Sequence, residues 1–107
     1  MLPKKNRVVT KEVEKIFKEG KFAVSPSLTF KYLKNNDKKV KISFIAPKSV
    51  AKLAVRRNFL RRLGYRVLEK CINLSPLGLV GVFIFKKDQE DASKLENEIK
   101  SIFSKIN

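Results

Sequence analysis

The segment Leu79–Phe85, Leu-Val-Gly-Val-Phe-Ile-Phe, limits most sharply what this chain can fold into. Seven residues with no polar side chain read as a strand covered on both faces, because a half-solvated strand would alternate. The run is far short of the roughly 20 residues that cross a bilayer. Covers must therefore come from the rest of the chain, and 107 residues are the size of a single domain.

Two flanking segments have the pattern of such covers. Downstream, Ala92, Leu95, Ile99, Ile102 and Ile106 recur at helical spacing, and Asp88, Glu90 and Asp91 precede them where acids favour a helix N-terminus. Upstream, a helix is expected over about residues 53–70, with Leu53, Leu60, Leu63 and Val67 as its buried stripe. The Ser-Pro and Gly within residues 73–78 end it. Nearer the start, Thr10 is placed as an N-cap for a short helix over about 11–19, and Gly20 sits at its C-terminal end. Leu28–Leu33 and the alternating Val40–Ala46 read as strands, and Asn35-Asn36-Asp37 between them is turn chemistry, so a hairpin is expected there. A further strand fits among residues 21–27, and residues 1–9 form a basic arm. The order α-β-β-α-β-α predicts a small α/β sandwich with helices covering a sheet.

Charge narrows the function. Twenty-five Lys and Arg against ten Asp and Glu leave a formal +15, the balance of a protein whose partner is a polyanion. With no His and one Cys, the chain has no His-based triad, no usual zinc hydrolase site and no intramolecular disulfide. The lone Cys71 fits a reducing cytoplasm and a small buried apolar role. No nucleophile is paired with a base and no carboxylate pair stands among the basic residues, so binding is expected rather than protein-borne catalysis.

Between Asp37 and Glu69 there is no acidic residue, and five of the six arginines lie between positions 56 and 66. On a helical projection Arg57, Asn58, Arg61, Arg62 and Tyr65 share an arc of about 140°, opposite the Leu60–Leu63–Val67 stripe. A merely solvated helix mixes signs. Here Arg57–Arg61 and Arg62–Arg66 are like-charge i,i+4 pairs, a sequence that favours a phosphate-binding face. Aromatics are the second candidate set. Phe17 and Phe22 flank Gly20, and Phe30 and Tyr32 share one side of a strand, where they would stack on unpaired bases if exposed. Core packing is the default for any one of them.

The stretch Pro47-Lys48-Ser49-Val50-Ala51-Lys52-Leu53-Ala54-Val55-Arg56-Arg57-Asn58-Phe59-Leu60-Arg61-Arg62-Leu63 resembles the signature of the bacterial ribonuclease P protein component. Leu2-Pro3-Lys4 with Asn6-Arg7, Phe17-Lys18-Glu19-Gly20-Lys21 and the strand VKISFIAPKS agree in order, so the resemblance covers essentially the whole chain. Phe59 stands where that family usually has Arg, Tyr65 where a basic residue is common, Ala51 where Gly is common and Ser49 where a second Lys is frequent.

The resemblance implies a two-layer α/β sandwich of about four strands and three helices, with an unusual left-handed βαβ crossover around the basic helix. It implies the small subunit of a ribonucleoprotein endonuclease that removes the 5′ leader of precursor tRNA. In that enzyme the RNA subunit holds Mg²⁺ and performs hydrolysis, so no protein residue would be catalytic or bind a metal. Arg57, Asn58, Arg61 and Arg62 would dock the RNA, with Lys48 and Lys52 at the entry and Arg56 and Arg66 on the same helix. Val13, Phe17 and Phe22, with Phe30 or Tyr32, would line a cleft for the single-stranded leader. Expected partners are ribonuclease P RNA and precursor tRNA, one protein per RNA, in the cytoplasm and away from membranes. The competing expectation is a basic RNA-binding protein of ribosomal type that serves no cleavage reaction. A membrane-surface role fits poorly, since the basic helix lacks a continuous apolar face.

Overall fold

A computed structural model describes residues 10–34, 40–75 and 78–106, with side chains from residue 14 onward. The elements are α1 (Thr10–Glu19), β1 (Lys21–Val24), β2 (Leu28–Lys34), β3 (Lys41–Ile45), α2 (Ala54–Cys71), β4 (Leu79–Phe85) and α3 (Ala92–Ile106), with a single 3-10 turn at Ile72–Leu74 after α2. The basic arm, the Asn35–Asp37 turn and the side chains of Thr10 and Val13 lie outside the described residues.

The four strands form one mixed sheet in the order β1-β2-β4-β3. β4 takes the interior position beside β2, antiparallel, and β3, parallel. This follows from its composition, since only an interior strand covered above and below has all its backbone groups paired and all its side chains dry. The expected hairpin of the second and third strands is therefore corrected. β2 and β3 do run antiparallel, but β4 lies between them, and the hairpin partner of β2 is β1. Turn chemistry reverses the chain without deciding which strand becomes its neighbour.

Strand parity divides the core. On one face Phe30, Phe83 and Phe44 stand side by side across β2, β4 and β3, with ring centroids 4.2 and 5.0 Å apart, and Phe103 of α3 packs edge-on against Phe30 at 6.2 Å. Leu60, Leu63, Val67 and Leu68 of α2 and Leu95, Ile99 and Ile102 of α3 complete this layer. On the other face Ile16 of α1 covers Val80 and Val82. Glu98 ties α3 to the β1–β2 turn, accepting hydrogen bonds from Ser25 Oγ and the Ser27 amide, both at 2.6 Å.

Leu53 does not belong to the buried stripe of α2. It precedes the helix and is 72% exposed. Of the acids before α3, only Asp91 caps, its Oδ1 accepting from the Ser93 and Lys94 amides at 3.0 and 3.2 Å. Burial raises the Cys71 thiol above its ordinary value, which keeps it protonated and unreactive.

Gly64, in the middle of α2, has a packing reason. A Cβ at this position would stand 2.6 Å from Cδ1 of Phe44. That ring is held between Phe83 at 5.0 Å and Tyr65 at 5.2 Å and has little room to move. Gly64→Ala gains helix propensity of about 1 kcal/mol but overpacks the ring, a cost of about 1–3 kcal/mol. A net loss of up to about 2 kcal/mol is expected, read from the urea unfolding midpoint at unchanged m-value.

Candidate nucleic-acid interface

The N-terminal half of α2 emerges from a tight turn in which the Val50 and Ala51 amides donate to Pro47 O at 3.0 and 3.1 Å. The helix has no side-chain N-cap. Arg57 folds back instead, donating from Nη1 to the carbonyls of Ala51 at 3.0 Å and Lys52 at 2.8 Å. Its position is thus partly structural, fixing the turn that presents the exposed Lys48 and Lys52.

Beyond Arg57, two exposed stripes run along the helix. Asn58 and Arg61 are hydrogen-bonded to each other, Arg61 Nη2 donating to Asn58 Oδ1. Together with Arg57 and Ala54 they face Phe44, Ile45 and Ala46 across a groove of about 330 Å³. Arg62 and Arg66 form the second stripe, both exposed. Tyr65 does not join them. It is 7% exposed, packs edge-on against Phe44, and its hydroxyl accepts from the Phe44 amide at 3.3 Å on the edge strand β3. Tyr65 falls near the middle of the projected arc, but Phe44 of β3 packs against it there.

Arg56 is already occupied. Its Nε and Nη2 fork onto both carboxylate oxygens of Asp88 at 2.9 and 2.5 Å, and Nη2 reaches Glu90 at 3.2 Å. Hydrogen bonding to Asp88 raises the guanidinium further above its ordinary value, and the same bond lowers the Asp88 carboxyl. Asp88 and Glu90, read from the sequence as helix-start acids, hold this arginine instead.

The second candidate surface is on the opposite side of the sheet. Strand register puts Phe22, Lys31, Val82 and Ser43 in one row and Val24, Thr29, Ile84 and Ile45 in the next. Among the described residues, Ile16 clusters with Val80 and Val82, and Leu33, Ile45 and Ile84 pack against that cluster. A shallow, partly apolar face remains beside α1, with Phe22 68% exposed at its rim. Phe17 borders it from α1, and Lys31 Nζ lies 4.7 Å from the Phe17 ring centroid. Phe17 and Phe22 thus share a surface.

Phe30 and Tyr32 do not share it. Phe30 is fully buried on the helix-covered face, and Tyr32 stacks on it at 5.4 Å and opens onto a separate hollow with Lys21 and Lys34. Alternation correctly put the two on one face, but that face is the core. Residues of the other parity, Thr29 and Lys31, are the ones that border the open surface, and the apolar residues Val24, Ile45 and Ile84 were missed with them. Their signal was available: an interior strand apolar on both faces needs partners whose two parities differ in polarity.

Among the described residues no cluster of acidic and Cys side chains is arranged to hold a metal ion, and no helix is long and apolar enough to cross a membrane.

A sequence model of the family described as Ribonuclease P matches residues 2–107. No curated protein matches the sequence at a significant level. Among solved structures, the chain is similar to the RNase P protein from Thermotoga maritima, with a TM-score of 0.83, 20% identity, and coverage of 94% of this chain and 97% of that one. It is similar as well to the Staphylococcus aureus RNase P protein, with a TM-score of 0.80, 13% identity and 95% coverage of both chains.

The Asp88–Arg56 bridge has a defined pH window. Because the folded carboxyl is held below its ordinary value, the bridge's contribution is complete above the unfolded value of about 3.9 and is lost as pH falls through the lowered folded one. An NMR titration of the Asp88 carboxyl is expected to give a midpoint below the ordinary aspartate value of about 3.9.

Proposed function

The chain belongs to the ribonuclease P protein family, and from that membership we propose that it is the protein subunit assisting removal of the 5′ leader from precursor tRNA. Association with ribonuclease P RNA follows from the family, and the observation that carries the finer reading is the exposed, predominantly positive face of α2. Arg62 has no acidic residue three or four positions before or after it, and Arg66 has one, Glu69, three positions after it; phosphates are the groups that relieve such a face. Lys48 and Lys52 extend it at the turn, and Arg57 orders that turn through the Ala51 and Lys52 carbonyls. Arg56 contributes less directly, as the clamp on Asp88.

The open sheet face beside α1 suits the leader. Phe17 and Phe22 offer rings for stacking, and Lys31 offers charge between them. Neither group reads a base edge, which is what a leader of variable sequence requires. Val13 is assigned to this cleft by the family resemblance alone, its side chain lying outside the described residues. Mg²⁺ and the hydrolytic step belong to the RNA in this reading. The protein's residues bind and orient, and neutralising RNA charge lowers the Mg²⁺ the particle needs. One protein per RNA is the expected stoichiometry.

The test is single-turnover cleavage of precursor tRNA by ribonuclease P RNA at low Mg²⁺, with and without the protein. Stimulation with release of the leader at the mature 5′ end is expected. Tight, salt-sensitive binding with no stimulation would contradict the reading and leave an RNA-binding relative. In the same system Arg61→Ala and Arg62→Ala should each flatten the slope of log K against log salt by about 0.7–0.9.

A further inference from the structure

On the outer stripe of α2 the basic pattern is interrupted by Phe59, 42% exposed, with Val55 one turn earlier, 80% exposed. At helical spacing Val55, Phe59, Arg62 and Arg66 lie within about 60° of arc, so the ring stands in line with two exposed arginines. An apolar residue as exposed as this on a helix otherwise given to charge calls for a partner. A bare hydrophobic contact with a second copy is disfavoured, because joining two such faces would bring together arginines on a chain of net charge +15.

The ring is also held in place. The Arg56 guanidinium lies over it, 4.8 Å from the centroid. That guanidinium is itself fixed by the two-oxygen fork on Asp88 and by Glu90. Arg56 covers one side of the ring and stays oriented, which leaves the remaining ring surface to solvent. An aromatic pre-oriented between phosphate-binding side chains is the arrangement that stacks an unpaired base while neighbouring phosphates meet charge.

We infer that Phe59 is a base-stacking residue of the α2 interface: it packs against an unpaired nucleobase of ribonuclease P RNA whose flanking phosphates meet Arg62 and Arg66. The inference rests on the proposed docking of α2 on that RNA. It deepens that docking by assigning one position a contact that is neither ionic nor dependent on salt. The Arg56–Asp88–Glu90 cluster then acts as the support that keeps the ring presented.

The experiment compares equilibrium binding of full-length wild type, Phe59→Leu, Phe59→Tyr and Arg62→Ala to ribonuclease P RNA over a salt series. Thermal melts verify that each variant is folded. Phe59→Leu keeps apolar bulk but removes the ring, and it is expected to bind roughly 5- to 150-fold more weakly with an unchanged salt slope. Phe59→Tyr is expected to retain affinity. Arg62→Ala is expected to lower the slope instead. Equal affinity of Phe59→Leu and wild type overturns the stacking role while leaving the docking of α2 intact. Failure of wild type to prefer ribonuclease P RNA over an unrelated RNA of equal length overturns both. A concentration-dependent dimer in sedimentation, abolished by Phe59→Leu with RNA affinity unchanged, would assign the ring to a second copy and reject the inference.

Discussion

The burial of β4 on both faces is the constraint from which the rest of the structure follows. Its odd-numbered residues from Leu79 to Phe85 face α2 and α3, and its even-numbered residues from Val80 to Ile84 face the α1 side. Such a strand has to sit inside the sheet, so β2 and β3 are separated to flank it. Its chain connection to the parallel β3 is α2, which therefore lies along the edge-strand side of the sheet with its charged face outward. The second candidate surface is on that other face, where, among the described residues, Ile16 of α1 packs with Val80 and Val82. Two candidate surfaces on different sides of one sheet are thus consequences of where one apolar strand must go.

Electrostatics then decides which of the basic residues are available. Arg57 is used for the turn before α2, and Arg56 for Asp88 and Glu90. Arg62, Arg66, Lys48 and Lys52 remain exposed, and Arg61 with Asn58 lines the groove against β3. A sequence count treats all these cations as equivalent. The folded chain divides them into groups that shape the surface and groups that constitute it.

Much of the fold was legible from pattern alone, because periodicity and local turn chemistry act within a few residues. The helix of α3, the double-faced β4 and the basic character of α2 are of this kind. What could not be read depends on neighbours remote in sequence. The interposition of β4 between β2 and β3 is set by competition for the driest position. Phe30 and Tyr32 were correctly placed on one face, but which face the long helices cover is a global choice. Gly64 and Tyr65 are explained only by Phe44, a residue 21 positions from Tyr65: the glycine makes room for its ring and the tyrosine hydroxyl accepts from its amide. Phe59 was legible as a departure from a basic pattern, whereas its support by Arg56 was visible only once Asp88 had been brought beside the helix.

The central claim is that the two surfaces serve different RNA molecules, and site-specific photocrosslinking in the assembled particle tests it most directly. Cys71 is buried, so a crosslinker can be placed on single exposed cysteines introduced as Val24→Cys beside β2 or Val55→Cys on α2. With ribonuclease P RNA and precursor tRNA present together, the probe at position 24 is predicted to mark the 5′ leader and the probe at 55 the ribonuclease P RNA. Both probes marking the same molecule, or the two exchanging targets, would contradict the account.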